Sequence, residues 1–164
     1  MKYLRLFEDF NLSYEERQEI LKSDQGFNSR EESENHLNYL QNQFEYEKSI
    51  GRVKLYRVLF VESIEDINTE DFGRHWSTEM YDKEGVDIIR ETSDAGGEAY
   101  IIIADFHPSD IDYKSTLHAQ MLYPWEYEYY IKKGAKPIGY KIMTFEKYDS
   151  LSYEESSRLH KEEL

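Results

Sequence analysis

The chain contains no cysteine. Disulfides, thiolate metal sites and cysteine nucleophiles are thereby excluded. No apolar run approaches the roughly 20 residues that a membrane-spanning helix needs. The opening, Met1 to Asn11, is amphipathic and lacks the apolar core of a secretory signal, so a cytoplasmic setting is the expectation, in the producing cell or in a target cell. Cations are also scarce: 20 Lys and Arg stand against 34 Asp and Glu, a formal net charge of -14. Binding to a bare phosphate backbone rests on clustered Lys and Arg, so a nucleic-acid role is disfavoured. A basic protein partner suits such a surface better. There is no internal repeat, no low-complexity tract, no EF-hand loop and no HExxH pair.

What is present divides 164 residues into a helical opening, a strand-rich middle and a charged tail, effectively one domain. In residues 1–50, Ser13 with Glu16 and Ser29 with Glu32 fit capping boxes. Leu37, Leu40 and Phe44 recur at helical spacing before Gly51, a plausible stop. This part is poor in apolar residues, so its helices are expected to pack a narrow stripe onto something else. From Val53 the period changes. Val53, Leu55, Leu59 and Val61 alternate with Lys54, Tyr56, Val58 and Phe60, a strand pattern. Trp76 to Met80 reads as a short strand, Glu91 to Glu98 as a loop, and the apolar run Ala99 to Phe106 as a central strand. Ile138 to Phe145 reads as a strand after a Gly134–Pro137 turn. Ser152 with Glu155 opens a C-terminal helix within residues 147–164. Strands in the second half with flanking helices predict an α+β fold.

Four groups of residues carry candidate chemistry. Arg57 shares the more apolar face of its strand, where an unpaired charge is costly. It is either an anion anchor, with a fork that suits phosphate, or half of a structural salt bridge. His75-Trp76-Ser77-Thr78 offers an aromatic for stacking and two hydroxyls for positioning, or else a strand edge with ordinary residues. No nucleophile elbow surrounds Ser77. Asp105, His107, Asp110 and Asp112 could suggest a metal, since hard cations take carboxylate oxygens, but turn capping is the better reading. Glu126 and Glu128 lie two apart. In an extended segment both project to one face, with Trp125, Tyr127, Tyr129 and Ile131 on the other. Close carboxylates can stabilise a developing cation or accept a proton. A solvated acidic face is the alternative.

The order of these elements resembles the ADP-ribosyltransferase superfamily, in its Arg-Ser-Glu branch. Leu55-Tyr56-Arg57-Val58 corresponds to the family's first-strand arginine. His75-Trp76-Ser77-Thr78-Glu79 corresponds to its Ser-Thr-Ser motif in the first two positions, with Glu79 in place of the last serine. Glu126-Tyr127-Glu128 corresponds to its Glu-x-Glu. Asp110-Ile111-Asp112 and Ser115-Thr116-Leu117 resemble the connection before that motif. The likeness spans residues 51–146.

The resemblance implies two small packed β-sheets forming a cleft for NAD. It implies that Arg57 holds a phosphate or ribose of NAD, that Ser77 positions Glu128, and that Thr78 supports the strand or the nicotinamide-side ribose. His75 and Trp76 would lie on the cofactor side, with Trp76 either stacking near the nicotinamide or sitting in the core. Glu128 would bond the ribose and stabilise the oxocarbenium-like transition state, and Glu126 would help deprotonate the acceptor. Tyr123 and Trp125 would recognise that acceptor, a protein arginine. The expected activity is mono-ADP-ribosyl transfer from NAD with release of nicotinamide, without metal or membrane. Alternatives are an NAD glycohydrolase, a transferase with a non-protein acceptor, or a non-catalytic acidic protein that blocks a basic partner. Residues 1–50 would dock substrate, cover the cleft or serve packing. The opening Met1-Lys2-Tyr3-Leu4-Arg5-Leu6 resembles that of some bacteriophage proteins, which suits a host-modifying enzyme or an intracellular toxin.

Overall fold

Side-chain caps fix where the helices begin. The computed structural model describes residues 12–22 and 26–164, and the amphipathic opening expected at Met1 to Asn11 lies outside the described residues. Helix α1 (Tyr14–Lys22) starts at the expected box: Glu16 N donates to Ser13 Oγ (3.1 Å) and Ser13 N to Glu16 Oε2 (2.9 Å). Helix α2 (Arg30–Ile50) is capped by Ser29, whose Oγ accepts from Glu32 N. The Glu32 carboxylate reaches back one residue further than the box requires, to Asn28 N at 2.9 Å. The helix ends at Gly51, whose φ of 73° is left-handed and free of Cβ strain only for glycine.

The strands are β1 (Val53–Val61), β2 (His75–Ser77), β3 (Glu98–Phe106), β4 (Glu128–Tyr130) and β5 (Gly139–Thr144). Between them lie α3 (Lys83–Ser93) and α4 (Tyr113–Leu122), and after them α5 (Phe145–Asp149) and α6 (Tyr153–Lys161). The fold is α+β, as the pattern predicts. The expectation of two packed sheets is corrected: among the described residues the strands form one antiparallel sheet of order β4-β2-β1-β3-β5. Long β1 and β3 pair along nine positions, from Val53↔Phe106 to Val61↔Glu98, and β2 joins β1 through the single pair Tyr56↔Ser77, so one ladder runs through all five strands.

Helices cover both faces of this sheet. Leu37, Leu40 and Phe44 of α2 and Leu117 and Met121 of α4 pack with Leu55, Trp76, Ile102, Phe106 and Tyr129 on one face. Tyr148 and Leu159, from the C-terminal helices, pack with Tyr56, Ile101 and Ile103 on the other. A strand covered on both sides reads as a continuous apolar run, which explains Ala99 to Phe106. One further expectation is corrected. Glu91 to Ser93 belong to α3, capped by Asp82 through Gly85 N, so the loop is only Asp94 to Gly97. The connection before Glu126 is a helix, α4, capped by Asp112 through Ser115 N at 3.1 Å.

Candidate functional site

The strands bearing Arg57, Ser77 and Glu128 are neighbours. Tyr56 lies opposite Ser77, and Ser77 lies opposite Glu128. Ser77 and Glu128 therefore share one face, while continuing the β1–β2 register sets Arg57 across from Trp76 on the other. The arginine side chain reaches along its own face to the edge of β2. Its Nη1 donates to the carbonyl of His75, and its guanidinium lies over Gly73, where a Cβ would stand only 3.0 Å from Nη2. Gly73 has φ 81°.

Among the described residues no carboxylate forms an ion pair with Arg57, and its Nε is buried without a hydrogen-bond partner. Burial pushes its pKa down, opposed by the fields of Tyr81 and Asp71. A guanidinium stays charged all the same. Burial also pushes the Tyr81 phenol up. The Arg57 charge opposes that shift and the Glu128 charge adds to it, so this one phenol senses both groups.

Glu128 is held by several neighbours. Its Oε1 accepts from Nδ1 of His75 at 2.8 Å, and the His75 ring lies 4.6 Å from that of Tyr130. Its strand β4 is an edge strand, and its outer side is paired with side chains of α4. Buried Gln120 donates to Glu128 O (3.1 Å), and Thr116 Oγ1 accepts from Tyr130 N (2.9 Å). From below, Tyr129 OH and Tyr113 OH donate to the carboxylate of Glu47, a buried residue of α2. Glu47 thus ties the helical opening to the strand that carries Glu128. Burial raises the Glu47 pKa above its ordinary value, against the two phenols, which lower it.

Glu126 lies before the strand, in a turn where its N–H donates to Tyr123 O (3.0 Å). Tyr127 has φ 51°, a left-handed conformation unusual for a bulky residue, and its carbonyl accepts from Thr78 N at 3.2 Å. Strict alternation is broken there. Tyr129 and Ile131 are buried as expected, but Trp125 and Tyr127 are 60% and 45% exposed rather than part of a dry wall. Both glutamates nevertheless border one cavity of about 540 Å³ against α4, with Lys114, His118 and Tyr130 on its other sides. Tyr123 and Trp125 stand exposed at this end, their rings edge to face at 5.9 Å.

Three expectations about single residues are refined. Trp76 is a core residue, 2% exposed, with Nε1 bonded to Gly73 O and its ring against Phe72 and Phe106, so it offers no stacking surface. The Ser77 hydroxyl accepts from Glu79 N (3.1 Å) and closes the turn after β2, while the hydrogen bond to Glu128 comes from His75. Asp105 pairs with Arg52 (2.9 Å) and Lys54 (3.0 Å), His107 caps the turn at Pro108–Asp110 and Asp112 caps α4. Sequence reading missed Glu47, Gly73, Tyr81 and Gln120, and gave Thr116 no contact with the strand of Glu128. For Thr116 and Gln120 a signal existed: polar residues at i and i+4, flanked by Leu117 and Met121 on the same helix.

Electrostatically the site combines a half-buried cation on β1, in no ion pair among the described residues, with two carboxylates at the opposite margin of β2. Such a pair of poles suits a ligand with an anionic part and a centre that becomes positive during reaction. Compared with family models, curated proteins and solved structures, the chain gives no significant match.

Proposed function

We propose that the protein is a mono-ADP-ribosyltransferase that moves ADP-ribose from NAD to an arginine side chain. The observation that carries this reading is the juxtaposition of Arg57, Ser77 and Glu128 on three adjacent strands, with Arg57 in no ion pair among the described residues. Removing a charge from water without a partner is costly, and an arriving diphosphate would supply one.

On this reading Arg57 binds the anionic part of NAD. The bond between the ribose carbon and the nicotinamide nitrogen breaks, and its electron pair leaves with nicotinamide. Glu128 stabilises the positive charge that develops on the ribose. A guanidinium nitrogen of the acceptor then bonds to that carbon and gives up a proton to Glu126. A guanidinium has a pKa above about 12, so a carboxylate at the point of attack is the group this step needs. Glu126 borders the same cavity as Glu128, and exposed Tyr123 and Trp125 flank the acceptor's approach.

The test is to incubate the purified protein with NAD, with and without a bacterial lysate, and to follow free nicotinamide. The wild type is expected to release it, and Glu128→Gln to lose at least about a hundredfold in rate. Lysate-dependent release with labelled protein bands identifies transfer, whereas lysate-independent release identifies hydrolysis. No release, together with no NAD binding by calorimetry, would refute the enzyme reading and favour an acidic binding protein.

A further inference from the structure

We propose that His75 is the positioning residue for Glu128, taking the role that the motif resemblance gives to Ser77. The inference rests on the transferase reading for its consequence in catalysis, but its geometry stands by itself. Three observations converge on one residue of β2. The imidazole Nδ1 lies 2.8 Å from Glu128 Oε1. The ring is braced by Tyr130, 4.6 Å away, the residue directly opposite His75 in the β2–β4 ladder. The backbone carbonyl of the same residue accepts from Arg57 Nη1. His75 thus contacts the cation through its main chain and the carboxylate through its side chain, and fixes their separation across the strand between them. The hydroxyl of Ser77 meanwhile accepts from Glu79 N.

With Nδ1–H as the donor, His75 holds Oε1, and the Tyr130 phenol is a second hydrogen-bonding neighbour of the same carboxylate. A carboxylate fixed in one rotamer stabilises developing charge without reorganising during the reaction. The Glu128 side chain is 25% exposed, so without this bond solvent would compete for it and several rotamers would be open.

The amide nitrogen of asparagine occupies nearly the same place relative to Cβ as Nδ1 of histidine. His75→Ala should therefore lower kcat for nicotinamide release about tenfold, the worth of a charge-assisted hydrogen bond, with KM for NAD unchanged, and His75→Asn should regain most of that loss. A rise in KM with kcat unchanged would overturn the proposal and return His75 to direct NAD contact. Nitrogen-15 spectra of the imidazole provide a readout without turnover. The wild type should show the Nδ1–H tautomer, and Glu128→Ala should shift it. An Nε2–H tautomer indifferent to Glu128→Ala would also overturn the proposal. A wild type that releases no nicotinamide would refute the transferase reading alone, and the spectra would still decide the His75–Glu128 contact.

Discussion

At Gly73 the left-handed φ of 81° and the guanidinium lying 3.0 Å from where a Cβ would stand act on the same side chain, Arg57. A methyl group there meets the mobile end of a long side chain, so it displaces the guanidinium more than it destabilises the fold. If the proposed transferase activity holds, Gly73→Ala is expected to raise KM for NAD about tenfold, and in any case the strained φ costs about 1 kcal/mol and lowers Tm by a few degrees. Steady-state kinetics with a thermal melt would check both, and an unchanged KM would mean that the guanidinium does not meet the dinucleotide. At this scale the sequence was informative about Arg57, Ser77 and Glu128, because each stands out against the pattern of its own strand. Gly73, Tyr81 and the burial of Trp76 were not legible, because their partners are distant in the chain and nothing local marks them.

Strand β4 is only three residues long. Its position is fixed by a ladder to β2 on one side, by Thr116 and Gln120 of α4 on the other, and by Tyr129 on Glu47 of α2 beneath. The last contact has a pH signature. Burial raises the Glu47 pKa above 4.5 in the fold. An acid whose pKa is higher folded than unfolded gives its full contribution to stability below its unfolded pKa, and loses that contribution as pH rises through the folded value. The wild type is therefore expected to lose ground to Glu47→Gln as pH rises from about 4.5. Urea midpoints of both proteins across that range would show it, and parallel curves would refute it. Long elements were legible from periodicity: β1, β3, β5 and α2 lie within a residue or two of their expected bounds. Helix α4 was hidden because its buried face includes Thr116 and Gln120, which interrupt the apolar stripe. Helix α3 was hidden because Val86 is its one fully buried residue and Ile88 points outward.

At the scale of the whole molecule, the boundary near Gly51 divides the sequence but not the interior. The amino acids on either side differ in period and composition, which made residues 1–50 look appended to a catalytic core. Yet Ile20, Leu21, Leu37, Leu40 and Phe44 share one apolar cluster with Val53, Leu55, Ile102 and Tyr129, and Glu47 receives hydroxyls from two residues of the later part. Buried contacts of this kind pair segments far apart in sequence, so residue pattern alone does not disclose them. The helices that sequence reading left with three possible roles are, over the described residues, one side of the core that carries the site.

The peptide bond after Gly51 is therefore expected to tolerate a cut, because the contacts that join the two sides are interior ones. The glycine lies in an open turn, with nothing beyond its chain neighbours within 4 Å of where its Cβ would be, and the surfaces that meet are an apolar cluster crossed by the Glu47 hydrogen bonds. Two separately made polypeptides, residues 1–51 and 52–164, should each be poorly structured alone and should assemble on mixing. Size-exclusion chromatography and circular dichroism of the mixture would test this, and two fragments that remain apart would refute it. If they do assemble, joining each half to a different protein would turn the molecule into a reporter of whether those two proteins meet.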